Sequence, residues 1–289
     1  MKIKAVRQSV VLEGVQDFDL THTFTCGQCF RWNQNEDGSF TGIAHGKRLT
    51  ISFQHNKFTL SPANLQEFHE IWEKYFDLPR DYGQLKGLFS RDHIMRQAAG
   101  YGWGIRILRQ DLWETLLSFI LSANNNVPRI KQIIERLCTL YGTRLPAETG
   151  AAYAFPTPEQ LHGAAAGDLA PLRAGYRAGY LVDAVEKVCS KTVDLSAVQT
   201  APLPEARRML LQIKGIGPKV ADCILLFGTG RLGVFPVDTW VRQAMRALYP
   251  EACQAAGSER AAGEALFGQN CGLAQQYLFY FARETNAKF

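Results

Sequence analysis

The sequence predicts an α+β protein: a small N-terminal antiparallel β-sheet domain packed on a larger all-helical body. Two observations carry that prediction. The first 60 residues alternate short apolar segments with turn signals, whereas from residue 62 onward apolar residues recur at helical spacing. The chain has 289 residues, 46% of them hydrophobic, enough to bury a core in one large domain or two modest ones. The expected division is 1–100 for the sheet domain with flanking helices and 101–289 for the helical domain.

Strands are expected over 29–34, 40–44, 49–54 and 57–60, separated by Asp37-Gly38, His45-Gly46 and His55-Asn56. Over 64–76, Leu65, Phe68, Ile71, Trp72, Tyr75 and Phe76 fall on one helical face, and a second helix is expected over 81–98. Beyond Trp103 nearly everything reads as helix. Asp111 and Glu114 have capping-box spacing ahead of an apolar run. Asn124, Asn125 and Asn126 break that run, and Pro128 suits the first turn of the next helix. Ile130, Ile133, Ile134, Leu137 and Cys138 supply its buried stripe, and Gly142 is placed to end it. Residues 143–159, rich in Pro, Ala and Gly, read as a surface connection.

Composition excludes several classes. No run of about 18 apolar residues is present, which argues against a membrane span. The N-terminal apolar stretch is broken by Arg7, Gln8 and Glu13, unlike a signal peptide. A cytoplasmic protein is expected. The seven cysteines are odd in number, which argues against a disulfide scaffold. Cys26 and Cys29 form a lone C-x-x-C pair, half of a tetrahedral metal site, and the C-terminal cysteines lack iron–sulfur spacing. No metal and no cofactor are therefore expected. The net charge is +5, its excess lying mostly beyond residue 100. That permits a phosphate-binding face, and equally an enzyme of small anions.

The sharpest local signal runs from Leu210 to Asp222, a helical hairpin expected near 205–228. A helix ending at Lys214 meets Gly215, which takes a positive φ without penalty. Ile216 plugs the turn, Gly217 allows close backbone approach, and Pro218 opens the next helix. Such a turn exposes backbone N–H groups suited to a phosphate. An ordinary tight hairpin would use the same residues. Lys219 lies in the first turn of the second helix, where the dipole disfavours a cation. Removed from water there, its amine becomes a nucleophile able to form Schiff bases. Asp238, in Phe235-Pro236-Val237-Asp238-Thr239-Trp240, precedes an amphipathic stretch as an N-cap. A carboxylate so held is expected to stay ionised and to stabilise nearby positive charge.

The string from Gly215 to Asp222, followed by Pro236-Val237-Asp238, resembles the helix-hairpin-helix (HhH-GPD) superfamily. Within it, the chain resembles the bacterial-type 8-oxoguanine DNA glycosylase/AP lyases. Further matches fall in the family's order: Cys26-Gly27-Gln28-Cys29-Phe30-Arg31-Trp32, Tyr75-Phe76-Asp77-Leu78, Ser122-Ala123-Asn124-Asn125-Asn126, Gly175-Tyr176-Arg177-Ala178 and Gly272-Leu273-Ala274-Gln275-Gln276-Tyr277-Leu278-Phe279.

That resemblance implies a monomeric, bifunctional repair enzyme that removes 8-oxoguanine opposite cytosine from duplex DNA through a lysine Schiff base. Lys219 would be the nucleophile and Asp238 its carboxylate partner, with Gly215 and Gly217 in the phosphate-binding hairpin. The Gly27 carbonyl would accept the hydrogen that 8-oxoguanine carries on N7, where guanine has a lone pair. Gln275 would read the base edge, while Phe279 and Cys223 would sandwich the ring. Asn124 would fill the vacated space with Tyr176 beside it, and Arg129 and Arg177 would bond the orphaned cytosine. Trp240 and Ala282 depart from the histidine and acidic residue common in animal members. A glycosylase for another lesion would usually lack Lys219, and a pure DNA-binding module needs neither Lys219 nor Asp238. A small-molecule Schiff-base lyase has no use for Asn124, Tyr176 or Arg177.

Overall fold

The computed structural model describes residues 1–146 and 151–285. Six antiparallel strands form one sheet: β1 (Lys2–Val6), β2 (Ser9–Glu13), β3 (Trp32–Gln34), β4 (Phe40–Ala44), β5 (Lys47–Gln54) and β6 (Lys57–Ser61), in spatial order β1-β2-β6-β5-β4-β3. Register follows the apolar alternation. Leu12 faces Phe58, Ile51 faces Leu60, and Phe40 faces Ile51, so the middle of one side of the sheet is apolar.

Three elements of this region lie outside the strands expected from the sequence. β1 and β2 extend the sheet by a hairpin, and residues Leu20–Thr25 form a helix capped by Asp19, whose carboxylate accepts from His22 N at 2.8 Å. The strand expected over 29–34 begins only at Trp32, because the preceding residues turn away toward the helical body.

Residues 65–75 run as one helical rod containing a π-helical segment, Phe68–Trp72. Phe68, Trp72 and Phe76 close over the apolar side of the sheet in one buried cluster with Val10, Leu49 and Leu60. The single helix expected over 81–98 is two, Tyr82–Phe89 and His93–Tyr101. Asp92 makes the break by capping the second one, accepting from Met95 N at 2.9 Å. Both join the helical core: the Phe89 ring meets those of Phe267 and Tyr277 edge-on.

The helical body is centred on Leu112–Ser122, Pro218–Thr229 and Cys271–Glu284. Asp111 caps the first of these by accepting from Glu114 N at 2.8 Å. Burial pushes the Glu114 carboxyl up to about 7, with Arg31 opposing. The stretch 143–159 holds a two-stranded pairing, Arg144–Leu145 with Ala152–Tyr153, and residues 147–150 of that expected connection lie outside the described residues. Among the described residues no helix is long and apolar enough to cross a membrane.

Gln28 ties sheet domain to helical body. Fully buried, it donates to the carbonyls of Thr23 and Arg106 (2.8 Å each) and accepts from Leu108 N at 2.9 Å. A buried amide with this many partners fixes the relative position of its neighbours.

Candidate active site

The hairpin forms from Leu203–Leu210 and Pro218–Thr229, joined by residues 211–217. The first helix ends at Leu210 rather than at Lys214. There the chain tightens into turns, Gln212 N donating to the Met209 carbonyl (3.2 Å) and Ile213 N to that of Leu210 (3.1 Å), ahead of a bond to Asp183. The Asp183 carboxylate accepts from Lys214 N at 2.7 Å and pairs with Lys187 at 2.9 Å. Gly215 has φ +84, and a Cβ there would lie 2.3 Å from the Tyr180 ring, so both backbone and packing require glycine. Apart from its chain neighbours, Gly217 has no atom of the described residues within 4 Å of where its Cβ would be. Ile216 is buried. The turn thus presents open backbone at a helix start, the geometry that suits a phosphate.

Lys219 stands one residue inside the second helix, half-buried, its Nζ 5.5 Å from the Phe119 ring centroid and beside the Cys223 thiol. Burial pushes that thiol up, and the Lys219 charge opposes the shift. Asp238 caps the helix Thr239–Leu248, accepting from Val241 N at 2.8 Å. Burial pushes its carboxyl above the ordinary range, against the lowering effects of the Val241 N–H and of Lys219. The expectation that a helix start alone keeps Asp238 ionised is therefore opposed by desolvation. A carboxyl so placed is better suited to exchange a proton than a solvated one.

Lys219 and Asp238 line one cleft with Gly27, Cys223, Gln275 and Phe279. Gln275 is 5% exposed, and its Oε1 has no hydrogen-bond partner among the described residues. An unpaired buried acceptor costs about 1–3 kcal/mol, recovered when a ligand donates to it. Gly27 has φ +83, with Phe279 Cε1 3.3 Å from the position of an added Cβ. Flanking carbonyls are occupied: Arg283 donates to that of Thr25 (2.7 Å), Gln276 to Cys26 (2.6 Å) and Gln110 to Gln28 (2.7 Å). Among the described residues no donor engages the Gly27 carbonyl.

Asn124, Arg129 and Tyr176 cluster on an exposed edge. Asn124 adopts φ +49, an uncommon left-handed conformation. Tyr176 is 57% exposed, and Arg129 reaches the Arg173 carbonyl at 3.4 Å. Arg177, expected to bond the orphaned cytosine, is held here by backbone carbonyls. It is buried, and its guanidinium donates to the carbonyls of Ala123 (2.9 Å) and Asn124 (2.8 Å) while stacking on Tyr176. In this state its fork holds the Asn124 turn. Trp240 is half-buried and lends its backbone N–H to Asp238, whereas Ala282 is fully buried in the core.

No role for Phe119, Asp183, Gln276 or Arg283 was legible in the sequence. Gln276 adjoins Gln275, and the paired glutamines were its only signal. The others look like ordinary helix residues until the chain is folded.

Two family profiles match in tandem: "8-oxoguanine DNA glycosylase, N-terminal domain" over residues 10–116, and "HhH-GPD superfamily base excision DNA repair protein" over residues 117–264. Fold and hairpin together define a helix-hairpin-helix base-excision protein. The Clostridium acetobutylicum 8-oxoguanine glycosylase/lyase, in complex with double-stranded DNA containing cytosine opposite 8-oxoguanine, superposes with a TM-score of 0.95 at 41% identity over 99% of each chain. The N-glycosylase/DNA lyase of Saccharomyces cerevisiae is 39% identical over 80% of this chain and 68% of its own. The probable N-glycosylase/DNA lyase of Methanothermobacter thermautotrophicus is 29% identical over 94% and 95% of the two chains. The chain belongs to the 8-oxoguanine DNA glycosylase family.

Proposed function

We propose that Lys219 and Asp238 carry the reaction of this bifunctional DNA glycosylase/AP lyase, a base-excision-repair enzyme acting on 8-oxoguanine in duplex DNA. The observation that supports this reading best is the single cleft holding Lys219, Asp238, Gly27, Gln275 and Phe279. Chain segments far apart in sequence deliver a nucleophile, a carboxyl, a free carbonyl, an unpaired amide oxygen and an aromatic face to one place.

The hairpin's open N–H groups bind backbone phosphate without regard to base identity. Extruding the lesion costs a few kcal/mol of stacking and pairing. Asn124 and Tyr176 occupy the gap and Arg129 bonds the cytosine left behind. Arg177 joins it once the carbonyls of Ala123 and Asn124 release its fork. In the cleft the base stacks on Phe279, with Cys223 on its other side. Its N1 and N2 hydrogens face the Gln275 oxygen, and its N7 hydrogen faces the Gly27 carbonyl. Guanine would instead oppose its N7 lone pair to that carbonyl.

The Lys219 amine attacks C1′ while the bond from C1′ to the base breaks and the departing base takes up a proton. Asp238 stabilises the positive sugar and accepts a proton from the lysine nitrogen. Ring opening gives an imine between Lys219 and C1′. Loss of a C2′ proton then expels the 3′-phosphate and cuts the strand. Asp222 plays no part in this chemistry: it is fully buried against Arg207 and Arg260 and holds the hairpin's second helix. The proposed setting is chromosomal DNA in the cytoplasm, with the enzyme acting as a monomer.

The test is single-turnover excision and strand nicking on duplexes carrying one 8-oxoguanine opposite each of the four bases. Fastest release opposite cytosine, with nicking that follows excision, is expected. Equal rates on undamaged guanine would overturn the assignment.

A further inference from the structure

We propose that Arg283 is a positioning residue that sets the selectivity for oxidised over normal guanine. The proposal rests on the role given above to the Gly27 carbonyl.

Gln275, Phe279 and Arg283 lie at successive i, i+4 positions on the helix Cys271–Glu284, so they share one face. The first two line the cleft, and Arg283 continues the row to its rim. Its guanidinium stacks 5.1 Å from the Phe279 ring centroid and 5.7 Å from that of Tyr280. Its Nη2 donates to the Thr25 carbonyl at 2.7 Å and pairs with Glu284 at 2.7 Å. Its Nη1 lies 3.4 Å from where a Cβ on Gly27 would sit. One planar cation therefore joins the Thr25–Gly27 turn to the ring expected to carry the base.

That junction matters because discrimination at N7 is a contest over small distances. A fixed carbonyl attracts the N7 hydrogen of the lesion and repels the lone pair of guanine. If the turn can recede by a fraction of an ångström, repulsion of guanine is relieved and attraction to the lesion weakens. Gly27 has no side chain to lock its own position, so the lock comes from outside. Gln276 holds the Cys26 carbonyl and Arg283 holds that of Thr25, both from the same helix. Arginine suits the task, since its planar fork stacks and donates at once. The same charge favours ionised Asp238, which links the clamp to the chemical centre.

The test measures binding in a Lys219→Gln background, which cannot form the covalent intermediate. Fluorescence anisotropy is read on three duplexes with cytosine opposite 8-oxoguanine, guanine or a tetrahydrofuran abasic analogue. The background protein is expected to prefer 8-oxoguanine over guanine. Adding Arg283→Met is expected to reduce that preference about tenfold, with affinity for the abasic analogue held within about twofold. Arg283→Lys, which keeps the charge but not the fork, is expected to fall between. An unchanged preference overturns the proposal, as does parallel weakening on all three duplexes, which assigns Arg283 to general DNA binding or folding. If the background protein itself shows no preference, the reading of Gly27 fails first and the proposal fails with it.

Discussion

Adding one methyl group at Gly27 perturbs the base pocket at its tightest point. The residue has φ +83, and in that left-handed region an alanine costs about 1–2 kcal/mol. Its Cβ would also stand 3.3 Å from Phe279 Cε1 and 3.4 Å from Arg283 Nη1, so the ring and the guanidinium must each give way by a few tenths of an ångström. Together these place the loss of stability for Gly27→Ala at about 2 kcal/mol, a fall in Tm of about 4–8 °C for a chain of this size. A functional loss should accompany it. Relaxing the strain rotates the carbonyl away from N7 and shifts the stacking ring; a misplacement of about 1 Å costs about 100-fold, so these smaller shifts should cost about tenfold. Single-turnover excision of 8-oxoguanine measures the second effect and thermal unfolding the first. A variant with wild-type Tm and excision within about threefold of wild type would refute the pocket geometry argued above.

Asp238→Asn should abolish excision by about a thousandfold while making the protein more stable at neutral pH. Burial raises the folded-state carboxyl above its unfolded value, so the folded state favours the proton. Stability is then lost as pH climbs from the unfolded value of about 3.9 toward the folded one, and asparagine, also a good N-cap, avoids that loss. Thermal midpoints of the two proteins should coincide in acid and diverge on approach to neutrality; a variant less stable at neutral pH contradicts the burial argument. Asp222→Ala should cost about 3–5 kcal/mol by denaturant unfolding, because it leaves Arg207 and Arg260 facing each other around a buried vacancy. A loss under about 1 kcal/mol would show that the two arginines find other partners.

The change from sheet to helix was readable because the two periodicities differ, and the hairpin because Gly215 and Pro218 punctuate it. Caps at Asp111 and Asp238 were readable for the same local reason. Elements without a strong period were not. The helix Leu20–Thr25 is half threonine with only Leu20 and Phe24 apolar, too short for a period to show, and the break at Asp92 hides inside a continuous helical pattern. In the site, Gly27, Lys219, Gln275, Phe279 and Asp238 came from motifs whose residues the fold brings to one cleft. Residues acting through partners distant in sequence stayed hidden. Gln28 reaches the carbonyl of Arg106, 78 positions on, and Arg283 reaches that of Thr25, 258 positions back. Arg177 carries a different lesson: the motif gave its identity, but only the fold revealed that neighbouring carbonyls already hold its fork.

The central claim is that Lys219 forms a covalent bond with the sugar from which the base departs. Borohydride reduction during turnover tests it most directly, on duplex DNA with one 8-oxoguanine opposite cytosine, comparing wild type with Lys219→Gln. A trapped protein–DNA adduct that requires both the lesion and Lys219 is the predicted result. An adduct that persists in Lys219→Gln, or wild-type excision with no adduct at all, would contradict the account.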